Sequence, residues 1–260
     1  MAPKRTREAV PEEDDMPEVP DEEDTSQDVV VIPEEWTPKS ALGRKVVRGE
    51  YTSIDQIFEA REHILEAEIV DALLPGMESD LLNIGQSKGK FGGGKRRAFR
   101  QTQKKTKEGN KPNFAAYCVI GNKNGIVGLG YGKAKEVVPA REKAVRNAKT
   151  NVFFVQRGSG SWETTVPDIN SIPFKVTGKA GSVIVELSPA PKGTGIVAEP
   201  ELAKILRLAG IQDIWANIRG HTVSKINVIL AAERALRKLS TTKVRDEYKK
   251  QLGIEREIEA

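Results

Sequence analysis

The residues whose types and spacing suggest chemistry are lysines and arginines. Between Gln86 and Lys111 stand Lys88, Lys90, Lys95, Arg96, Arg97, Arg100, Lys104, Lys105, Lys107 and Lys111 against one acid, Glu108. Glycines in the same window leave bare backbone amides beside the cations, a combination that suits phosphate oxygens. Gly89, Gly94 and Lys95 satisfy the opening of a phosphate-loop pattern, but Arg96 stands where Ser or Thr should hold magnesium. The run that follows reads as a charged strand, not as a helix N-terminus, so nucleotide binding is rejected there. The window reads instead as a basic loop feeding an edge strand, with a hairpin tip at Lys107-Glu108-Gly109-Asn110. The bland alternative is a solvated charge run.

Bond-making chemistry finds little support. His63 and His221 are far apart and belong to no metal-ligand spacing, and Asp213 and Glu201 form no evident acid–base pair. The single Cys118 excludes a disulfide framework and a cysteine-based zinc site. No enzyme activity, cofactor or metal is therefore expected. A second candidate anion contact lies in Pro189–Gly195, where Lys192, Thr194 and two glycines could meet a phosphate or simply form a turn.

These side chains must be positioned by modest cores. The chain has 260 residues, 38% of them hydrophobic, enough for one large or two small domains. No apolar run approaches the roughly 20 residues needed to span a bilayer, and the first residues lack the apolar core of a secretory signal. A cytoplasmic location is expected. Residues 1–35 carry thirteen acids and three bases, a net −10, which leaves +14 on the rest of a chain whose total is +4. A basic body with an acidic tail points to a polyanionic partner. The tail is poor in apolar residues and is expected to be disordered.

The stretch Phe114–Val137 organises the body. Phe114, Ala116, Cys118 and Ile120 should face one way and Ala115, Tyr117 and Val119 the other. Gly121–Gly125 supplies a hairpin turn, and Gly128 and Gly130 on the return strand leave room for a close neighbour. Lys133 and Lys135 follow at the approach to a helix over 134–152, with Pro139 in its first turn. Upstream, 36–85 reads as short helices, with Ser53 and Gln56 as a capping box and an apolar stripe that should pack on the next domain. Residues 156–172, including Arg157, Gly158, Gly160 and Trp162, read as a flexible linker. Residues 173–240 read as a second domain: a strand at Val183–Leu187, a helix at Pro200–Leu208 ending at Gly210, a strand from Ile214, and a last helix through Leu239. Residues 241–260 form a charged extension.

Gly109 through Phe114, then Gly121, Gly125, Gly128 and the segment GYGKAKEV, resemble the signature of the S-five family of small-subunit ribosomal proteins. The blocks PFKVTGKAGSV and SPAPKGTGIVAEPELAKILRLAGIQDIWANIRG resemble that family's C-terminal domain. The region around SALGRKVVRGEYTSIDQIFEA resembles the longer archaeal and eukaryotic branch, with archaeal preferred. The resemblance implies an α+β chain of two small domains: a double-stranded-RNA-binding-like domain over 86–155 and a βαββα-like domain with a left-handed crossover over 173–240. It also implies a non-enzymatic part of the small subunit that binds ribosomal RNA at the head/body junction. The mRNA entrance channel and proteins S-four, S-eight and S-three would lie near, and decoding accuracy would be affected. The RNA-binding residues it suggests are Lys95, Arg96, Arg97, Arg100, Lys104, Lys105, Lys107, Asn110, Lys111, Lys133, Lys135 and Arg157, with Lys175, Lys179, Lys192, Thr194 and Arg219 in the second domain. Asn110-Lys111-Pro112 departs from the bacterial loop, so spectinomycin response is not carried over. The rival readings are a free RNA-binding or RNA-processing factor and, more weakly, a small-molecule kinase.

Overall fold

The computed structural model describes residues 36–87, 89, 95–163, 169–249 and 252–254. The acidic tail 1–35, the glycine run that completes the phosphate-loop pattern, and the end of the C-terminal extension lie outside the described residues.

The first sheet holds β1 (Glu78–Leu82), β2 (Arg100–Thr106), β3 (Gly109–Gly121), β4 (Ile126–Ala134) and β5 (Val152–Phe154). Its ladders are antiparallel, in the order β1-β3-β4-β5, with β2 also paired to β3. The 13 residues of β3 serve two partners on one edge: its first half pairs with β2 and its second half with β1. The turn into β4 forms as expected. Lys123 and Gly125 take φ of 59° and 86°, and the Asn122 side chain accepts from the amides of Asn124 and Ile126 at 2.8 and 3.1 Å.

Helix α4 (Val137–Thr150) lies across the glycine face of β4. A Cβ built on Gly128, Gly130 or Gly132 would fall 2.3, 2.1 or 2.3 Å from α4 backbone atoms. The buried helix face is Ala140, Ala144 and Ala148, so small residues meet on both sides. Val137, at the start of the helix, is exposed. Three short helices, α1 (Ala41–Val47), α2 (Ile54–Glu59) and α3 (Ala67–Leu73), join α4 on this side. Each is far shorter than the 12–15 or so residues an isolated helix needs. Leu42, Val46, Ile57, Ile69 and Val70 hold them by packing with Ala116, Cys118 and Ile120. Ser53 caps α2 by position but makes no side-chain cap bond; Gln56 reaches back one residue further, to the Thr52 amide at 3.1 Å.

The expected helical segment 36–85 also contains a strand, β1. Pro75-Gly76 ends the helical run, and the free edge of β3 then captures Glu78–Leu82, whose own alternation is weak.

The second sheet comprises β6 (Val176–Ala180), β7 (Val183–Pro189), β8 (Ile196–Val197) and β9 (Ile214–Arg219), in the order β6-β7-β9-β8 with β8 parallel to β9. Helices α5 (Pro200–Leu208) and α6 (Lys225–Thr241) pack on one face. The chain order is three strands, helix, strand, helix, and α5 joins the parallel pair β8 and β9. Gly178 lets α6 approach: its Cβ would lie 2.0 Å from the Ala231 carbonyl oxygen. A last turn, α7 (Asp246–Lys249), precedes Leu252, whose carbonyl accepts from the Ser159 amide at 2.7 Å.

The two sheets share a core. Leu82, Tyr117, Val119, Val127 and Leu129, on the face of the first sheet away from α4, pack in one cluster with Leu202, Leu206, Leu236 and Leu239. The described parts of the linker, 156–163 and 169–172, are pinned, contrary to the expected flexibility. Gly158 and Ser171 exchange backbone hydrogen bonds at 3.0 Å, Gly160 donates to Ile172, and Gln156, Ser159 and Ile172 are buried. Its glycines serve close approach: a Cβ on Gly160 would lie 2.0 Å from the Pro173 carbonyl oxygen.

Candidate nucleic-acid interface

The β2–β3 hairpin projects its cations from a fully exposed strand. Register divides them. Lys104 pairs with Lys111 and Lys105 with Asn110, while Arg100, Ala115 and Lys133 lie in one row across β2, β3 and β4. Alternation therefore puts Arg100, Lys104, Lys111 and Lys133 on one face and Lys105 and Asn110 on the other. Lys107 sits at the tip, where Gly109 has φ of 118° and the Thr106 hydroxyl donates to the Gly109 carbonyl at 2.7 Å. Among the described residues none of Lys104, Lys105, Lys107 and Lys111 has an ion-pair partner. Tyr131 shares the face of Lys133 and stays 41% exposed, its ring 5.9 Å from that of Tyr117.

A strap carries the remaining first-domain cations. Gly85 donates its amide to the Arg97 carbonyl at 2.8 Å and accepts from the Arg96 guanidinium at 3.3 Å. Lys95 and Arg97 project to solvent, as does Lys135 between β4 and α4.

The second group lies on the uncovered face of the second sheet. Lys179, Ile184 and Arg219 form one row across β6, β7 and β9. Glu186 stands between Lys175 and Arg219, at 3.6 and 3.8 Å, and offsets part of their charge. Trp215, 44% exposed, sits on this face with Asn217, which the sequence reading missed. The signal was present: in Ile214–Arg219 the polar Asn217 and Arg219 share Trp215's parity, while Ile214 is buried. Lys192 is exposed. The Thr194 hydroxyl donates to the Pro191 carbonyl at 2.8 Å, and the Gly195 amide donates to buried Asp213 at 2.7 Å. This loop is held by its own contacts, with Thr194 Oγ1 keeping acceptor capacity. Arg157 belongs to neither group: it is half-buried at the domain junction and donates to the Asn124 side chain.

The groups considered for catalysis have structural roles or none. Glu201 accepts from the Asn83 amide and side chain, both at 2.8 Å, and Asp213 accepts from Asn170 at 2.8 Å. His63 and His221 are exposed. Burial pushes the Cys118 thiol up to about 11, which keeps it protonated and unreactive at neutral pH. Cationic rows with few acids between them can bind extended anions.

Residues 97–156 match the family model of ribosomal protein S5, N-terminal domain, and residues 178–250 match that of ribosomal protein S5, C-terminal domain. The small ribosomal subunit protein uS5 of Nanoarchaeum equitans is 47% identical over 211 residues, 81% of this chain and 90% of that one. The chain belongs to the ribosomal protein S5 family, of archaeal type. Its counterpart in Methanocaldococcus jannaschii is 42% identical over 221 residues, covering 85% of this chain and 95% of that one. In Aeropyrum pernix the figures are 46% over 204 residues, 78% and 87%. The family is one of structural ribosomal proteins, and the chain is not an enzyme.

Proposed function

We propose that the protein is a structural component of the small ribosomal subunit in the cytoplasm, which binds ribosomal RNA at the head/body junction beside the mRNA entrance path. There it supports assembly and translational accuracy. The family match and the relatives' names support the ribosomal setting. The observation that carries the RNA reading is the Lys104–Lys111 rung of the hairpin, a like-charge pair with no acid to neutralise it among the described residues. Backbone phosphates supply the missing charge. Lys95, Arg96, Arg97, Arg100, Lys105, Lys107, Asn110, Lys133 and Lys135 extend that contact. Lys175, Lys179, Lys192, Thr194 and Arg219 meet RNA from the second domain, and Arg157 from the linker. The working units are 86–155 and 173–240, braced by 36–85 and joined by 156–172, with the acidic segment 1–35 and the extension 241–260 at the ends. S-four and S-eight adjoin them, with S-three nearby.

Sedimentation of native subunits tests the setting: the protein co-migrates at one copy per small subunit. Replacing Lys104, Lys105 and Lys107 together by Ala tests the contact. The plot of log affinity for small-subunit RNA against log salt should lose roughly one unit of slope per phosphate contact, with no change in sequence preference. An unchanged slope removes the hairpin from the interface. Free occurrence outside subunits, with binding to duplex RNA alone, would favour the rival reading.

A further inference from the structure

An open pocket of about 480 Å³ lies where the two domains meet, between the β3–β4 turn and the end of α5. Its polar lining is Lys123 from the turn, Arg157 from the linker, and Arg207 and Gln212 from either side of Gly210. Among the described residues no carboxylate lines it. Two of the cations are held in place from outside the pocket: Glu78 pairs with the Lys123 ammonium, and Asn124 accepts from the Arg157 guanidinium. Arg207 is exposed and has no ion-pair partner among the described residues.

The backbone is shaped to bring the three cation-bearing segments together. Gly210 has φ of 79°, and a Cβ there would lie 2.0 Å from the Lys123 carbonyl oxygen and 3.1 Å from Arg157 Nη1. Turn, linker and helix end therefore meet with no side chain between them. A helix C-terminus ordinarily repels anions through its unpaired carbonyls. Here the Leu208 and Ala209 carbonyls accept from the amides of Lys123 and Gly125, both at 3.0 Å, so that objection is largely removed.

We propose that Lys123, Arg157 and Arg207 form a phosphate-binding site that fastens the two domains to each other through the bound anion. Two guanidiniums and an ammonium match a tetrahedral dianion better than a lone carboxylate, since arginine forks engage phosphate oxygens in pairs. An RNA backbone or free phosphate presents the same group. For the RNA source the inference rests on the ribosomal RNA reading above; for the free anion it does not.

The test uses the full chain and the Arg207→Gln variant, whose change lies on the surface and spares the fold. Inorganic phosphate is titrated at constant ionic strength, with chloride as control. Wild type should gain a rise in Tm that grows with the logarithm of phosphate concentration, to roughly 5 °C at high excess, and the variant should lose it. In parallel, affinity for small-subunit RNA is measured across salt. A loss of about one unit of slope in Arg207→Gln, additive with that of the hairpin variant, assigns the phosphate to RNA. A phosphate-dependent Tm with an unchanged slope supports the site with free phosphate as its ligand. The proposal fails if Arg207→Gln responds to phosphate like wild type, or if wild type does not respond. It also fails if poly-glutamate replaces phosphate as the anion whose effect depends on Arg207. Loss of RNA binding by the hairpin alone would bear on the RNA reading and leave this site untouched.

Discussion

Lys104 and Lys111 face each other across the β2–β3 ladder as direct cross-strand partners, flanked in sequence by Gln103, Lys105, Asn110 and Pro112. Like charges in that relation oppose folding by an amount on the scale of about 0.2–1 kcal/mol. The free protein therefore holds a hairpin that an anion would relax. Replacing Lys111 by Gln should leave the free protein as stable as wild type or slightly more so in urea denaturation. The same variant should bind small-subunit RNA more weakly, with a salt slope smaller by about one. A variant that is destabilised and keeps the wild-type slope would show that Lys111 serves the fold instead.

The glycine ladder under α4 should behave in the opposite way. At Gly130 a methyl group would meet Ala148 N at 2.1 Å and Ala144 O at 2.3 Å, and neither helix backbone atom can rotate aside. Gly130→Ala should cost about 1–3 kcal/mol or more through overpacking, read as a lower urea midpoint. Gly193, with φ of 89° and nothing within 4 Å, separates this effect from backbone strain alone. Gly193→Ala should cost only about 1 kcal/mol. Equal costs at the two positions would mean that helix proximity is not what the ladder protects.

What was legible in the sequence was local. The alternation of Val183, Val185 and Leu187, the glycines at 128 and 130, and the span from Pro200 to Gly210 each carry their own period or punctuation, and each formed where expected. The hairpin tip was equally plain. What failed to show depends on partners distant in the chain. β1 has charged, exposed positions at Glu78 and Asp80 and is a strand because β3 offers it an edge. The linker glycines read as flexibility, yet they are small because Pro173 and Leu252 lie against them. The cations were legible as a set but not as faces. That Arg100 and Lys133 share a row follows only from the register of both on Ala115.

Acid should loosen the N-terminal helices. Burial works to raise the Glu66 carboxyl, but the Ser40 and Lys39 amides and the Trp36 indole outweigh it and hold it below the usual carboxylate range. The Lys45 hydrogen bond, at 2.6 Å, lowers Glu62 against a smaller opposing effect of burial. Carboxyls depressed in the folded state stabilise it above their unfolded value, here about 4.5, and that contribution is lost as pH falls through the folded value. Acid titration followed by tryptophan fluorescence should detect release of Trp36 below about pH 4.5, since its indole donates to Glu66. Glu66→Gln should flatten much of that transition, because the amide oxygen still accepts but no longer titrates. A titration identical in wild type and variant would remove Glu66 as its origin.

The clamp between Asn83 and Glu201 links residues 118 apart in sequence, where the end of β1 meets the first turn of α5. Glu201 is only 6% exposed, and its two oxygens take the Asn83 amide and side chain at 2.8 Å each. Truncation to Ala leaves both donors without this acceptor in a part-buried place, a penalty of about 1–3 kcal/mol. Because Leu82 and Leu202 lie in the shared core beside the clamp, the loss should reach both domains. Urea unfolding of Glu201→Ala in a Trp36→Phe, Trp162→Phe background, followed by Trp215 fluorescence for the second domain and far-ultraviolet circular dichroism for the whole chain, should shift both midpoints down together. Separate transitions that appear only in the variant would show that the clamp, more than the apolar cluster, makes the domains cooperative. An unshifted midpoint would mean that Asn83 finds another acceptor, and the clamp would then contribute nothing to joining the domains.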